Sequence, residues 1–166
     1  METRKITRIL FVCLGNICRS AAADGIMHHL VDSESLGDSI EIDSAGTYGG
    51  HRGELPDARM RSAAKVRGYN LTHRSRQVKE QDFYVFDYIV AMDDNNYESL
   101  HRLAPSREYG NRIYRMREFT LDKFPDWHYI PDPYYEGREG FELVLDLLEH
   151  GCRNLLKFVL EESSKE

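Results

Sequence analysis

The first apolar stretch of the chain is short, β-branched and abruptly stopped. Ile6, Ile9, Leu10, Phe11 and Val12 run straight into VCLGNICRS, residues 12–20, and then into the alanine-rich segment Ala21–Leu30. A buried strand, a loop and a helix from Ser20 to Val31 fit that order, with Ser20 near the helix N-cap. A strand that hands its chain to a helix can return to the same sheet only by a crossover, which makes the next strand parallel. The pattern then recurs. Ile40–Asp43 reads as a strand, GTYGGHRGELP (46–56) as a glycine-rich loop, and Asp57–Arg67 as a helix. Tyr88–Met92 reads as a third strand, Asp93–Leu103 as a helix, and Ile113–Met116 as a weaker strand. Phe141–Leu160 carries an apolar stripe at helical spacing. Alternating elements of this kind build an α/β domain around a parallel sheet, with ligands at the carboxyl ends of the strands. Cys13 stands at such an end.

No linker-like or low-complexity segment divides the 166 residues, so a single domain over 1–166 is expected. The formal net charge is −6, a poor basis for general binding to nucleic acid or membrane. No apolar run approaches the roughly 18 residues of a membrane span. Three cysteines, Cys13, Cys18 and Cys152, are too few for a disulfide framework and fit a reducing compartment, the cytoplasm.

The opening loop carries chemistry. A loop that leads into a helix N-terminus can turn its N–H groups on an anion, with help from the helix dipole. Gly15 permits positive φ there, and Arg19 offers a planar fork for phosphate oxygens. A cysteine at the base of such a cradle is favoured as thiolate; thiols in these settings fall from about 8.5 to roughly 3.5–7.5. Cys13 would then be a nucleophile aimed at phosphorus, with the Ser20 hydroxyl steadying the sulfur. Cys13 and Cys18 lack the second pair that a zinc site needs. The loop also lacks the lysine of a Walker A motif. The leaving group needs an acid, and Asp132 in IPDPYYEG (130–137) is held between two prolines. Cys152 falls on the apolar stripe of the last helix and reads as core. Met60, Met92 and Met116 read as packing residues, and the run from Arg107 to Arg117 as a solvated face.

VCLGNICRS together with DPYY resembles the low-molecular-weight protein tyrosine phosphatases, and DSAGT (43–47), THRSRQ (72–77) and FDYIVAMD (86–93) extend the resemblance over nearly the whole chain. It implies a small doubly wound domain, a four-stranded parallel sheet with helices on both faces. It implies a phosphocysteine mechanism without metal or organic cofactor, acting on phosphotyrosine in proteins and on small aryl phosphates. Cys13 would be the nucleophile, Arg19 the phosphoryl clamp and Asp132 the acid, then the base. Leu14, Gly15, Asn16, Ile17, Cys18 and Arg19 would form the cradle that holds phosphate or another oxyanion. Asn16, Ser20, Ser44 and His73 would hold its shape, and Tyr134 and Tyr135 would line the cleft. Cys18 is either a small buried residue or, as the family implies, the partner that traps oxidised Cys13 as a disulfide.

Two departures stand out. Relatives place an aromatic wall where this chain has Gly50, so Tyr48 or His51 must supply it. Ala21 stands where proline is common. Arginine phosphatases carry threonine at the position of Ile17, and an apolar Ile17 favours a flat phenolic ester. Arsenate reductases need relay cysteines that are absent between Cys18 and Cys152. A phosphate-binding module without turnover would need neither Cys13 nor Asp132.

Overall fold

A computed structural model describes residues 5–133 and 137–165. Its elements in chain order are β1 (Thr7–Cys13), α1 (Arg19–Ser33), β2 (Ile40–Gly46), α2 (Ala58–Val66), α3 (Asp82–Val85), β3 (Tyr88–Ala91), α4 (Asp94–Leu103), β4 (Ile113–Arg115) and α5 (Arg138–Ser164). Short 3₁₀ helices flank β4, Arg107–Arg112 before it and Met116–Phe119 after it. The four strands pair in the order β2-β1-β3-β4, all parallel. The four-stranded parallel sheet of the expected α/β class is therefore present.

The side chains of β1 divide the core in two. Ile9, Phe11 and Cys13 join the cluster built with α1, α2 and α5, while Leu10 and Val12 join the one built with α3 and α4. Helices thus cover both faces, and the central strand reads as a continuous apolar run because neither face meets water. Phe11 is fully buried; truncation to alanine at such a site costs about 3–5 kcal/mol.

Several boundaries move from expectation for visible reasons. β2 runs on to Gly46, because Phe11, Val12 and Cys13 pair with Ser44, Ala45 and Gly46. Asp57 and Asp93 precede their helices as N-caps, their side chains accepting from Arg59 N and Asn96 N. Ser20 is no cap: α1 starts one residue earlier, and the Ser20 hydroxyl is used elsewhere. α5 is longer at both ends than its apolar stripe. Arg112 is not simply solvated, since it donates to the carbonyls of Phe83 and Phe86 at the end of α3.

β1 sends its chain to β2 on one side, and β3 adds on the other. The carboxyl ends of β1 and β3 therefore bracket the point where the strand order reverses. The opening loop lies there.

Candidate active site

Cys13 is the last residue of β1 and is 3% exposed. The chain then circles through residues 14–18 into the first turn of α1. Its carbonyls are taken from outside the circle. Thr47 N donates to Cys13 O, Tyr48 N to Leu14 O, Asp57 N to Ile17 O, and Ser75 Oγ to Gly15 O. In a planar peptide the N–H points opposite to the C=O. Carbonyls bound outward thus leave the N–H side of the loop for the cavity within, the arrangement of an anion nest.

The left-handed residue in this loop is Asn16, with φ 58°, and not Gly15. Asparagine tolerates this region better than other side-chain-bearing residues. Here its amide also works in three directions. Oδ1 accepts from Arg76 N at 3.1 Å and from His73 Nε2 at 3.1 Å, and Nδ2 donates to Ser20 Oγ at 2.8 Å. Gly15 serves close approach instead: a Cβ there would stand 3.0 Å from the His51 ring. Gly46 of β2 lies under the loop, where a Cβ would meet Leu14 O at 2.6 Å.

Ser20 Oγ is 3.0 Å from Cys13 Sγ. Because that oxygen accepts from Asn16, its proton is available to the sulfur; the competing acceptor, Ala45 O, is farther off at 3.5 Å. Arg19 is 4% exposed, and NH1 donates to Asp93 Oδ2 at 2.6 Å and to Ile130 O at 3.1 Å. NH2 lies 3.7 Å from Asp132 Oδ2. Burial opposes the guanidinium charge, but Cys13, Asp93 and Asp132 together outweigh it and hold its pKa above the ordinary value.

Cys18 differs. Burial, followed by the charges of Asp57, Cys13 and Asp132, pushes its thiol far up. It stays a neutral thiol in the range where proteins work. Cys152 is wholly buried in the core and its thiol is raised by burial as well.

A cavity of about 240 Å³ opens above Cys13, lined by the loop, Arg19, Asp132, Tyr48 and His51. Both residues expected as a substitute wall are thus at its rim. Gly50 has its own reason: a Cβ there would overlap the Tyr48 ring at 2.2 Å. The missing side chain makes room for the Tyr48 ring. Tyr48 and His51 meet edge to face at 6.3 Å, and His51 Nδ1 pairs with Glu54 at 2.5 Å. Ser44 reaches the loop through Asp24 and His73: its hydroxyl donates to Asp24 Oδ2 at 2.7 Å, Asp24 faces His73, and His73 bonds Asn16. Tyr134 and Tyr135 lie outside the described residues.

Three groups escaped the sequence reading. Asp93 holds Arg19, and Ser75 and Arg76 hold the loop from below. Asp93 stood only as the first residue of the expected Asp93–Leu103 helix, and nothing local links it to an arginine 74 positions away.

Residues 8–165 match the sequence model of the family described as low molecular weight phosphotyrosine protein phosphatase. The chain belongs to that family. A relative from Synechocystis whose name places it in the family is 48% identical over 149 residues, 90% of this chain and 94% of its own. A crystal structure of a protein tyrosine phosphatase from Entamoeba histolytica with Hepes in the active site superposes with a TM-score of 0.90 at 42% identity, over 95% of this chain and 99% of its own. A Drosophila arginine phosphatase, also a crystal structure, gives 0.83 at 34% identity, over 91% and 96%. The fold is thus shared with a tyrosine phosphatase and with an arginine phosphatase. Among the described residues no helix is long and apolar enough to cross a membrane.

Proposed function

We propose that this chain is a protein-tyrosine phosphatase in which Cys13 is the nucleophile and Asp132 the general acid and base. The observation that carries the reading is Cys13 Sγ at the floor of the cavity, with a hydroxyl donor at 3.0 Å and the clamped Arg19 guanidinium beside the same cavity.

The phosphoryl group of the ester sits in the cradle, its oxygens taken by the loop N–H groups and Arg19. Cys13 Sγ attacks phosphorus in line with the phenolic oxygen. The P–O bond breaks, and Asp132 gives its proton to the leaving oxygen. The second step runs the other way. Asp132, now a carboxylate, takes a proton from water; the oxygen attacks phosphorus, the P–S bond breaks and the sulfur departs as thiolate. The Ser20 proton stabilises that thiolate. Each step uses only groups of the chain and water.

The substrates are phosphotyrosine in proteins and small aryl phosphates, with inorganic phosphate as product and cradle ligand. Apolar Ile17 and the Tyr48 ring at the rim favour a flat phenolic ester over a charged phosphoguanidine. The buried Cys18 thiol lies in the same cavity wall. On oxidation of Cys13 by a peroxide, Cys18 displaces water from the sulfenic acid and forms a disulfide that thiols can reduce. Reduced cysteines in the working enzyme suit the cytoplasm.

The test is phosphate release from a phosphotyrosine peptide, with chelator and reductant, beside Cys13→Ser. Release by the parent alone is expected. Release by both proteins would remove Cys13 from its role. Release by neither would leave a phosphate-binding module. Preferential release from a phosphoarginine peptide would overturn the argument from Ile17.

A further inference from the structure

Outside the active site, a cavity of about 460 Å³ opens between α2 and the first turns of α5. The sequence explains the trough. On α2, Ala58, Ser62 and Val66 recur one helical turn apart, beside Ala63, and all four line it. Met60 and Ala64 face the other way and are wholly buried. Small side chains at 58, 62 and 63 leave space between the two helices. Phe141 of α5, 2% exposed, forms an apolar floor. Val66, 83% exposed, is the barest large apolar side chain among the described residues.

The trough continues from the active site. Ile17, which lines the substrate cavity, gives its carbonyl to Asp57 N at 2.8 Å. Asp57 caps α2, and the next two residues, Ala58 and Arg59, line the trough. A polypeptide whose phosphotyrosine fills the cradle therefore has this face beside it.

The charges along the trough are paired, with one exception. Arg59 is held by Asp57 through Nε at 3.2 Å and NH2 at 3.1 Å, and it lies over the Phe141 ring at 4.9 Å. Glu142 is taken by Arg67 NH2 at 2.7 Å. Arg138, also in the wall, makes no ion pair among the described residues. Its natural partner one turn on would be Glu142, which Arg67 holds. Glu139 follows it but lies outside the wall. A cation in the first turn of a helix opposes the helix dipole, so Arg138 brings the free chain no stability.

We propose that the trough is a docking site for the substrate polypeptide. An apolar side chain flanking the phosphotyrosine enters between Val66 and Phe141, and an Asp or Glu beside it pairs with Arg138. The proposal rests on the phosphotyrosine reading above and adds to it a preference among protein substrates. Contacts remote from phosphorus are made equally in the ground state and the transition state, so they lower KM and leave kcat unchanged. A small aryl phosphate does not reach the trough.

The test uses phosphotyrosine peptides with a Leu-Glu pair at successive distances on either side of the phosphotyrosine, and Ala-Ala in its place as reference. At one register KM should fall by about tenfold, with kcat unchanged. Val66→Asp and Arg138→Glu change exposed side chains; each should erase that fall and still turn over nitrophenyl phosphate like the parent. With Arg138→Glu, a Leu-Lys pair at the same register should restore it. Equal KM at every register, or a fall that both variants keep, would overturn the docking site, while turnover of nitrophenyl phosphate would leave the phosphatase reading standing. No turnover of peptide or nitrophenyl phosphate by the parent would overturn both.

Discussion

The floor and the rim of the active-site cavity are built on opposite terms. The floor, residues 13–20, is mostly buried, and its groups answer to partners spread from Gly46 to Ile130. The rim, residues 48–54, is glycine-rich and largely exposed; Tyr48 is 56% exposed. Its anchors are an edge-to-face contact, one His51–Glu54 pair and hydrogen bonds that run mostly through the main chain, to Leu14, Arg74 and Ser75. Preorganised donors stabilise a transition state only if they need not move during the reaction. A surface that selects among proteins tolerates exposure and movement. In the proposed function the floor sets which bond breaks, and the rim sets which ester is offered.

The strongest attempt to break this division is Cys13→Ser. Turnover should fall by at least about 10⁴-fold, as for other covalent nucleophiles, while vanadate still binds, as equilibrium dialysis would read. Lost vanadate binding would mean that the sulfur builds the floor rather than acts on it. Asp132→Asn should lower kcat for phenyl phosphate by about 10²–10³-fold. With a nitrophenyl ester, whose leaving group needs no proton, a rapid burst should survive in stopped-flow. A lost burst would place Asp132 in binding.

Asn16→Ala tests the floor as structure. It removes three hydrogen bonds and leaves alanine in a left-handed backbone. Strain of about 1–2 kcal/mol and unpaired buried groups at about 1–3 kcal/mol add to a Tm fall of about 5–15 °C by calorimetry. A fall under 2 °C would mean that the floor is held by the main chain alone. At the rim, Tyr48→Ala should raise KM for a phosphotyrosine peptide by about tenfold or less, with kcat nearly unchanged. A large loss of kcat would abolish the distinction between floor and rim. Alkylation sharpens it without mutation. Iodoacetamide at neutral pH should label Cys13 and leave Cys18 and Cys152 intact by peptide mapping, because burial holds both thiols well above the ordinary range.

What could be read beforehand follows the same line. The strand–loop–helix opening, the fold class, and Cys13, Arg19 and Asp132 as a set were visible because each has a local signature: an apolar run, a loop at a helix start, a proline frame. The partners that make them a site were not. Asp93 under Arg19, Ser75 and Arg76 under the loop, and Asp24 behind it meet only through the β2-β1-β3 arrangement. The left-handed position went to Asn16 and not Gly15, because a side chain there is useful in three directions while glycine offers only permission. Ser20 looked like a cap from its place in the chain, but a buried sulfur had the stronger claim on its hydroxyl.

The packing of α1 against α5 has a consequence for the order of synthesis. α1 follows the nucleophile directly, and its apolar side is covered by a helix that begins at Arg138, near the end of the chain. Ile130, whose carbonyl receives Arg19, also arrives late. While the chain is being made, the Cys13 loop stays unfinished until α5 docks. Deleting α5 should therefore damage the Cys13 loop, although the two are far apart in sequence.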